Sequence, residues 1–291
     1  MRISPEHLDT LVAIVDHGTF DAAARHLSVS PSAVSQRIRA LESHLGRVVV
    51  ARSTPCRPTE AGQVLLRLAR QRQVLEREAL AELRAEEHSA VELAVAVNAD
   101  SLATWFPRVL DECASWPQAI VHLHVEDQDH SAALLRAGTV LAAVTSDPVA
   151  VQGCAVEHLG TMRYLPVAAP ALADRWSAGG GVDWAAMPMV RFNAKDDLQH
   201  RLLAAQGITA DPPTHLVPSS QGFVAAVRAG LGWGMVPREQ LDDDLETGRL
   251  VRLAGAEPID VPLYWQHWRL RSAHLDRLGA AVHAAAAVLR R

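Results

Sequence analysis

At 291 residues the chain is too long for one small domain and leaves room for two or three. A content of 49% hydrophobic and 21% charged residues is that of a soluble globular protein, and no run of about 18 apolar residues offers a membrane span. The net charge of −5 argues on its face against a nucleic-acid partner, but its distribution matters more.

Residues 1–58 carry seven arginines against five acids, a net of +2, whereas residues 90–291 carry 16 basic against 22 acidic residues. A mildly basic module on an acidic remainder can bind DNA locally while the whole stays soluble. The opening "MRISPEHLDTLVAIVDHG" turns polar and acidic too soon for a secretory signal. Cys56, Cys113 and Cys154 are odd in number and far apart. They fit neither a disulfide framework nor a zinc site, and they suit a reducing cytoplasm.

Ser4-Pro5 starts a first helix, with Leu8, Leu11, Val12 and Val15 at helical spacing, and Gly18 stops it. Thr19 caps a second helix with Phe20, Ala23, Ala24 and Leu27 inward. Ser30-Pro31 starts a third, whose Val34, Ile38, Leu41 and Leu45 form a core face. "VVVARSTPCRPT" is β-branched, then broken by prolines, as in a two-stranded wing. From Thr59 to about His88 runs one helix of roughly 45 Å. Its Leu65, Leu68, Leu75, Ala79 and Leu83 are assigned to one side, interrupted by Arg72. No short neighbour can cover so long a stripe, so a dimerising helix is expected.

After residue 90 strands and helices alternate. "VELAVAV", "AIVHLHV" and "VLAAVT" read as parallel strands, with helices starting near Ser101 and Ser131. A second unit runs through "MRYLPVAAP", "MPMVRF", "THLVP", the helix "SSQGFVAAVRAG" and "GWGMVP". "PLYWQHWRL" then reads as a strand and residues 272–290 as a closing helix. Two α/β lobes crossing near residues 160 and 262 make a hinged cleft.

The chemistry starts with helix three. Opposite its core face stand Ser32, Gln36, Arg39 and Ser43, flanked by Ser35 and Arg37. Arginine reads guanine with two hydrogen bonds and glutamine reads adenine, while small serines let the helix lie close. A merely solvated face would carry glutamate and lysine pairs; this one has no lysine and one glutamate, Glu42. The four-residue link "SVSP" gives helix-turn-helix spacing. Arg52 and Arg57 on the wing complete the DNA-binding candidates.

"FDAAARHLSVSPSAVSQRIRALESHLG", followed by "RPTEAG" opening a long helix, resembles the winged helix-turn-helix of LysR-type transcriptional regulators. Ala51 stands where that family usually has a larger residue. The lobed remainder resembles the family's periplasmic-binding-protein-like effector domain. "NADSLATWFP", "LGTMRYLPVAAP", "GLGWGMVP" and "YWQHWRL" are similar to the branch regulating lysine and arginine export. The fold so implied is an all-α winged helix-turn-helix (1–58), a dimerisation linker helix (59–89) and two α/β lobes. Residues 90–160 with 263–291 form lobe I, and 161–262 form lobe II. The resemblance implies a cytoplasmic activator of an amino-acid exporter gene, sensing lysine, arginine or histidine. Its partners would be double-stranded DNA, further copies of itself as dimer or tetramer, and RNA polymerase.

For the effector, strand ends select Asp100, Ser101, Thr145, Ser146, Ser219 and Ser220, because a helix N-terminus with a hydroxyl suits a carboxylate. Ser101 is the candidate for an α-carboxylate. Asp100, Glu126 and Asp127, with Asp196 and Asp197 on the second lobe, are candidates for a basic side chain. Trp105, Trp265 and Trp268 read as core before pocket.

Enzymatic readings fare poorly. There is no G-x-S-x-G elbow, Cys113 and Cys154 lack an activating histidine motif, and "GLGWG" follows a helix instead of a strand. His122 and His124 share a strand face, which alone is a weak metal signal. Neither metal nor cofactor is expected. The rival from another class is an amino-acid solute-binding protein with no DNA role.

Overall fold

The computed structural model describes residues 3–84, 91–116, 119–125, 131–177 and 181–290. Three short helices open it: α1 (Pro5–His17), α2 (Phe20–His26) and α3 (Pro31–Leu45). Gly18 ends α1 in the left-handed region at φ +73°. Thr19 and Ser30 accept the Ala22 and Ala33 amides at 3.1 and 3.2 Å, capping the next two helices. Leu11, Ile14, Ala23, Val34, Ile38 and Leu41 interlock in one small core. The wing pairs β1 (Val50–Ala51) with β2 (Arg57–Pro58) antiparallel.

The long helix α4 (Glu60–Arg84) grows out of the wing. A Cβ on Gly62 would stand 2.0 Å from the Val49 carbonyl oxygen, so glycine alone lets the helix begin this close. The stripe expected on α4 needs correcting at Leu65, while Leu68, Leu75, Ala79 and Leu83 are exposed as a free stripe requires. Leu65, with Leu66 and Ala69, belongs to the core of the three-helix module. At 100° per residue the free stripe starts instead at Val64, with Leu68 and Leu75 after it, and these remain 53%, 46% and 42% exposed. Arg72 does not interrupt that stripe: it turns back to pair with Asp9 and with Glu76.

The remainder is α/β. Strands β3 (Val91–Val97), β4 (Ala119–Val125) and β5 (Ala142–Thr145) are parallel, with β3 central. Helices α5 (Ala99–Ala103) and α6 (Pro107–Cys113), then α7 (Ser131–Ala137), connect them. Next come β6 (Cys154–Ala168), α8 (Pro170–Trp176), β7 (Met189–Arg191), α9 (Leu198–Ala205) and β8 (Thr214–Leu216). The chain continues through α10 (Ser220–Arg228), β9 (Gly234–Pro237), β10 (Val251–Arg252), β11 (Ile259–Trp268) and α11 (Ala273–Ala285). The large sheet runs β10-β6-β11-β5-β3-β4, with β9 also on β6, and β7-β8 form a separate parallel pair.

"MRYLPVA" is the second half of the 15-residue strand β6, which begins eight residues before Met162, at Cys154, so no new unit starts there. β6 and β11 run antiparallel over both halves of the α/β region and shift register between Leu263 and Tyr264. Opposite that shift sits Gly160 at φ +151°, where a Cβ would come within 2.8 Å of the Leu289 backbone. The crossing expected near residues 160 and 262 is therefore a bulged two-strand ribbon. Trp105, Trp265 and Trp268 are buried core.

Candidate functional site

Two surfaces carry the sequence-derived candidates. On α3, Ser32, Gln36 and Arg39 are exposed together, with Ser35 half-buried beside them. Ser32 Oγ lies 2.9 Å from Ser30 Oγ at the helix cap. Arg37 differs from the others: it leans onto α1 and pairs with Glu6 at 3.4 Å. On the wing, Arg57 is exposed, and the exposed Arg52 guanidinium lies 5.2 Å from the Phe20 ring centre. Shallow core side chains and both caps hold α3 outward, so its polar face is free to meet a groove.

The second surface is a cavity of about 360 Å³ between the end of β3 and the α9–α10 side of the molecule. That volume lies within the range of small-molecule sites. Asn98, Asp100, Ser146, Asp196 and Asp197 line it together with Tyr164, Phe192 and Arg201. Asp100 leaves the first turn of α5 and accepts from Tyr164 Oη at 2.8 Å and Ser220 Oγ at 2.6 Å. Gln240 Nε2 in turn donates to Ser220 Oγ at 2.9 Å. The carboxylate thus ties α5, β6 and α10 together.

Asp196 faces the cavity from a tight turn. Its carboxylate accepts the Phe192 amide at 2.9 Å and the Leu198 amide at 3.2 Å, while Arg191 Nε clasps its carbonyl at 2.8 Å. Asn193 Oδ1 closes the turn by accepting the Lys195 amide at 2.7 Å. Burial raises the pKa of both Asp100 and Asp196 above the ordinary carboxylate value. The hydroxyls of Ser220 and Tyr164 offset this in part at Asp100, and the negative charge of Asp196 adds to it. The same lining holds the positive side chains Lys195 and Arg201, so the cavity carries both signs of charge.

Other candidates lie elsewhere. Ser101 is fully buried and points into the core, because one residue along α5 turns the side chain by about 100° from Asp100. Thr145 is buried in β5, where its hydroxyl accepts the Asp147 amide at 3.1 Å. Ser219 is exposed and caps α10 through the Gly222 amide at 3.2 Å. Ser220 reaches the site by holding Asp100. Glu126 and Asp127 lie outside the described residues. Asn98, Tyr164 and Arg201 were not among the sequence candidates; only the folded arrangement of β3, β6 and α9 brings them together.

Comparison with known proteins covers both parts of the chain. Residues 5–63 match the bacterial regulatory helix-turn-helix protein model of the lysR family, and residues 86–290 match the LysR substrate binding domain. The chain is 48% identical to the lysine export transcriptional regulatory protein LysG of Corynebacterium glutamicum over 286 residues, covering 98% of each. The solved structure of full-length LysG from Corynebacterium glutamicum with bound effector Arg superimposes with a TM-score of 0.86 at 48% identity. It spans 99% of this chain and 100% of that one. ArgP from Mycobacterium tuberculosis gives a TM-score of 0.91 at 46% identity, over 100% of this chain and 99% of that one. With both domain models matched, and relatives close over nearly the full length, the chain belongs to the LysR family of bacterial transcriptional regulators, in the lysine- and arginine-responsive branch of LysG and ArgP.

Proposed function

We propose that this regulator senses a basic amino acid, lysine, arginine or histidine, in the Asp100–Asp196 cavity and activates an amino-acid exporter gene. The observation that carries it is the pair of part-buried carboxylates in one cavity lining, Asp100 and Asp196, with Arg201 beside them. The carboxylates suit the ligand's positive groups and Arg201 suits its α-carboxylate. The export target follows from the LysG relative, named a lysine export regulator. The LysG structure with bound effector Arg supports arginine as one effector, and the proposal includes no cofactor.

The same reading divides the chain at residues 58 and 89. Residues 90–160 with 263–291 then form one lobe and 161–262 the other, a division supported by the bulge at Leu263. It assigns DNA contact to Ser32, Ser35, Gln36 and Arg39 on α3 and to Arg52 and Arg57 on the wing. Arg37 acts once it is released from Glu6. Self-association through α4, a role without enzymatic turnover and a cytoplasmic location complete the proposal, with RNA polymerase as the partner in activation. None of the described helices is long and apolar enough to cross a membrane.

A thermal-shift panel of the twenty amino acids tests the sensor. Lysine and arginine should raise the melting temperature, since a ligand at 100 times its dissociation constant adds about 2.7 kcal/mol. Stabilisation by neutral or acidic amino acids only would overturn the reading. For the reading head, Arg39→Ala should weaken binding to the upstream operator by roughly ten- to hundredfold, with circular dichroism unchanged. Sequence-selective binding at wild-type strength by this variant would remove α3 from the interface.

A further inference from the structure

One atom in the cavity is out of place for a settled fold. Asn98 is only 3% exposed, yet its Oδ1 has no hydrogen-bond partner among the described residues. It occupies the N-cap of α5, where an asparagine side chain ordinarily accepts an amide of the first helical turn. Here it makes no such bond. It lines the cavity two residues before Asp100 instead. A buried acceptor left unpaired destabilises the empty protein, and its pairing is deferred until something enters.

Every strong acceptor around it has the same need. Asp100 and Asp196 are held in position by protein donors, yet each carboxylate oxygen keeps a further lone pair. Asn98 Oδ1 and the carboxylates of Asp100 and Asp196 therefore place three acceptor groups in one lining, which a neutral apolar side chain cannot satisfy. A guanidinium offers five N–H donors in a plane and an ammonium offers three. We propose that Asn98 is a specificity-determining residue of this site, its Oδ1 taking an N–H of the effector's cationic group beside Asp100 and Asp196. The inference rests on the basic-amino-acid reading above and names a residue that reading does not require.

Asn98→Leu, close to isosteric, separates this role from a structural one. Removing an unpaired buried acceptor should raise the melting temperature of the ligand-free protein by about 2–6 °C. The same change should weaken L-arginine binding by calorimetry roughly ten- to hundredfold, because the bound cation then loses a partner. Asn98→Asp, which keeps an acceptor at the same place, should hold L-arginine within about tenfold of wild type. A lower melting temperature with unchanged affinity in Asn98→Leu would make Asn98 structural and overturn the proposal. Equal loss in both variants would also overturn it. If wild type itself shows no binding of L-arginine or L-lysine, the sensor reading fails, and that outcome is distinct from wild-type binding that Asn98→Leu leaves intact.

Discussion

Asp100→Asn is expected to lower the affinity for L-arginine by about a hundredfold or more and to abolish effector-dependent changes in operator binding. The carboxylate is part-buried, it is fixed by Tyr164 and Ser220, and it lines the same cavity as Asp196. Removing one charge of a desolvated ion pair leaves the ligand's cation underpaid, a loss of roughly 2–5 kcal/mol. The ligand-free protein should respond in the opposite sense. In the folded state Asp100 and Asp196 both bind a proton more readily than in the unfolded chain. The folded protein therefore holds more protons between the ordinary carboxylate value and the raised one, so its stability falls as pH rises through that window. Stabilisation by arginine, which needs the charged carboxylates, grows through the same window. In Asp100→Asn both trends should flatten, as melting temperatures measured with and without arginine across pH 4–8 (about four units upward from the ordinary carboxylate value) would record. Unaltered arginine affinity in this variant would take Asp100 out of the site.

A second large effect is expected on α4. The double variant Leu68→Glu with Leu75→Glu should run as a monomer in sedimentation and lose operator affinity by about 10²- to 10⁴-fold. Val64, Leu68 and Leu75 follow one another at four and seven residues, the spacing of a seam between two helices. Each is largely open to solvent within the single chain, so charges there cost its own fold little. Two negative charges per helix, brought face to face across a symmetric pair, oppose association strongly. Losing the pair also loses the second half-site, and the affinity drop reflects that lost tether more than any direct DNA contact. Unchanged oligomer size and operator affinity would show that this stripe is not the joining surface.

Much of the molecule was legible from local patterns. Caps at Thr19 and Ser30, the glycine stop at Gly18 and the core spacing of Val34, Ile38 and Leu41 each depend on residues a turn or two apart. These features locate the first three helices almost to the residue. The cavity was less legible, because its walls come from distant segments. Strand-end logic selected Asp100 and Ser146 but also Ser101 and Thr145, since a half-turn of helix or the next strand position decides which side chain faces the cavity. Tyr164 reads as an ordinary strand residue, and only the pairing of β6 with the rest of the sheet brings its hydroxyl to Asp100. The stripe on α4 was misassigned by one position at Leu65, because the sequence does not say that the three-helix module wraps that face first.

The continuity of β6 and β11 across the α/β region has a mechanical consequence. Two strands that run unbroken through both halves behave as a leaf spring, bending at Gly160 and Leu263 and resisting wide excursions. Small rotations are what such a joint transmits. β11 leads directly into α11, whose Ser272 and His274 grip Glu78 on α4; the His274 Nδ1 contact is 3.1 Å. With 25 residues, α4 is a lever about 37 Å long. A tilt of about 5° at one end of a rod that long moves the other by about 3 Å, close to the 3.4 Å rise between neighbouring base pairs. With a stiff joint at the cavity, a long arm toward the three-helix module would convert a slight closing into a shift of about one base-pair rise.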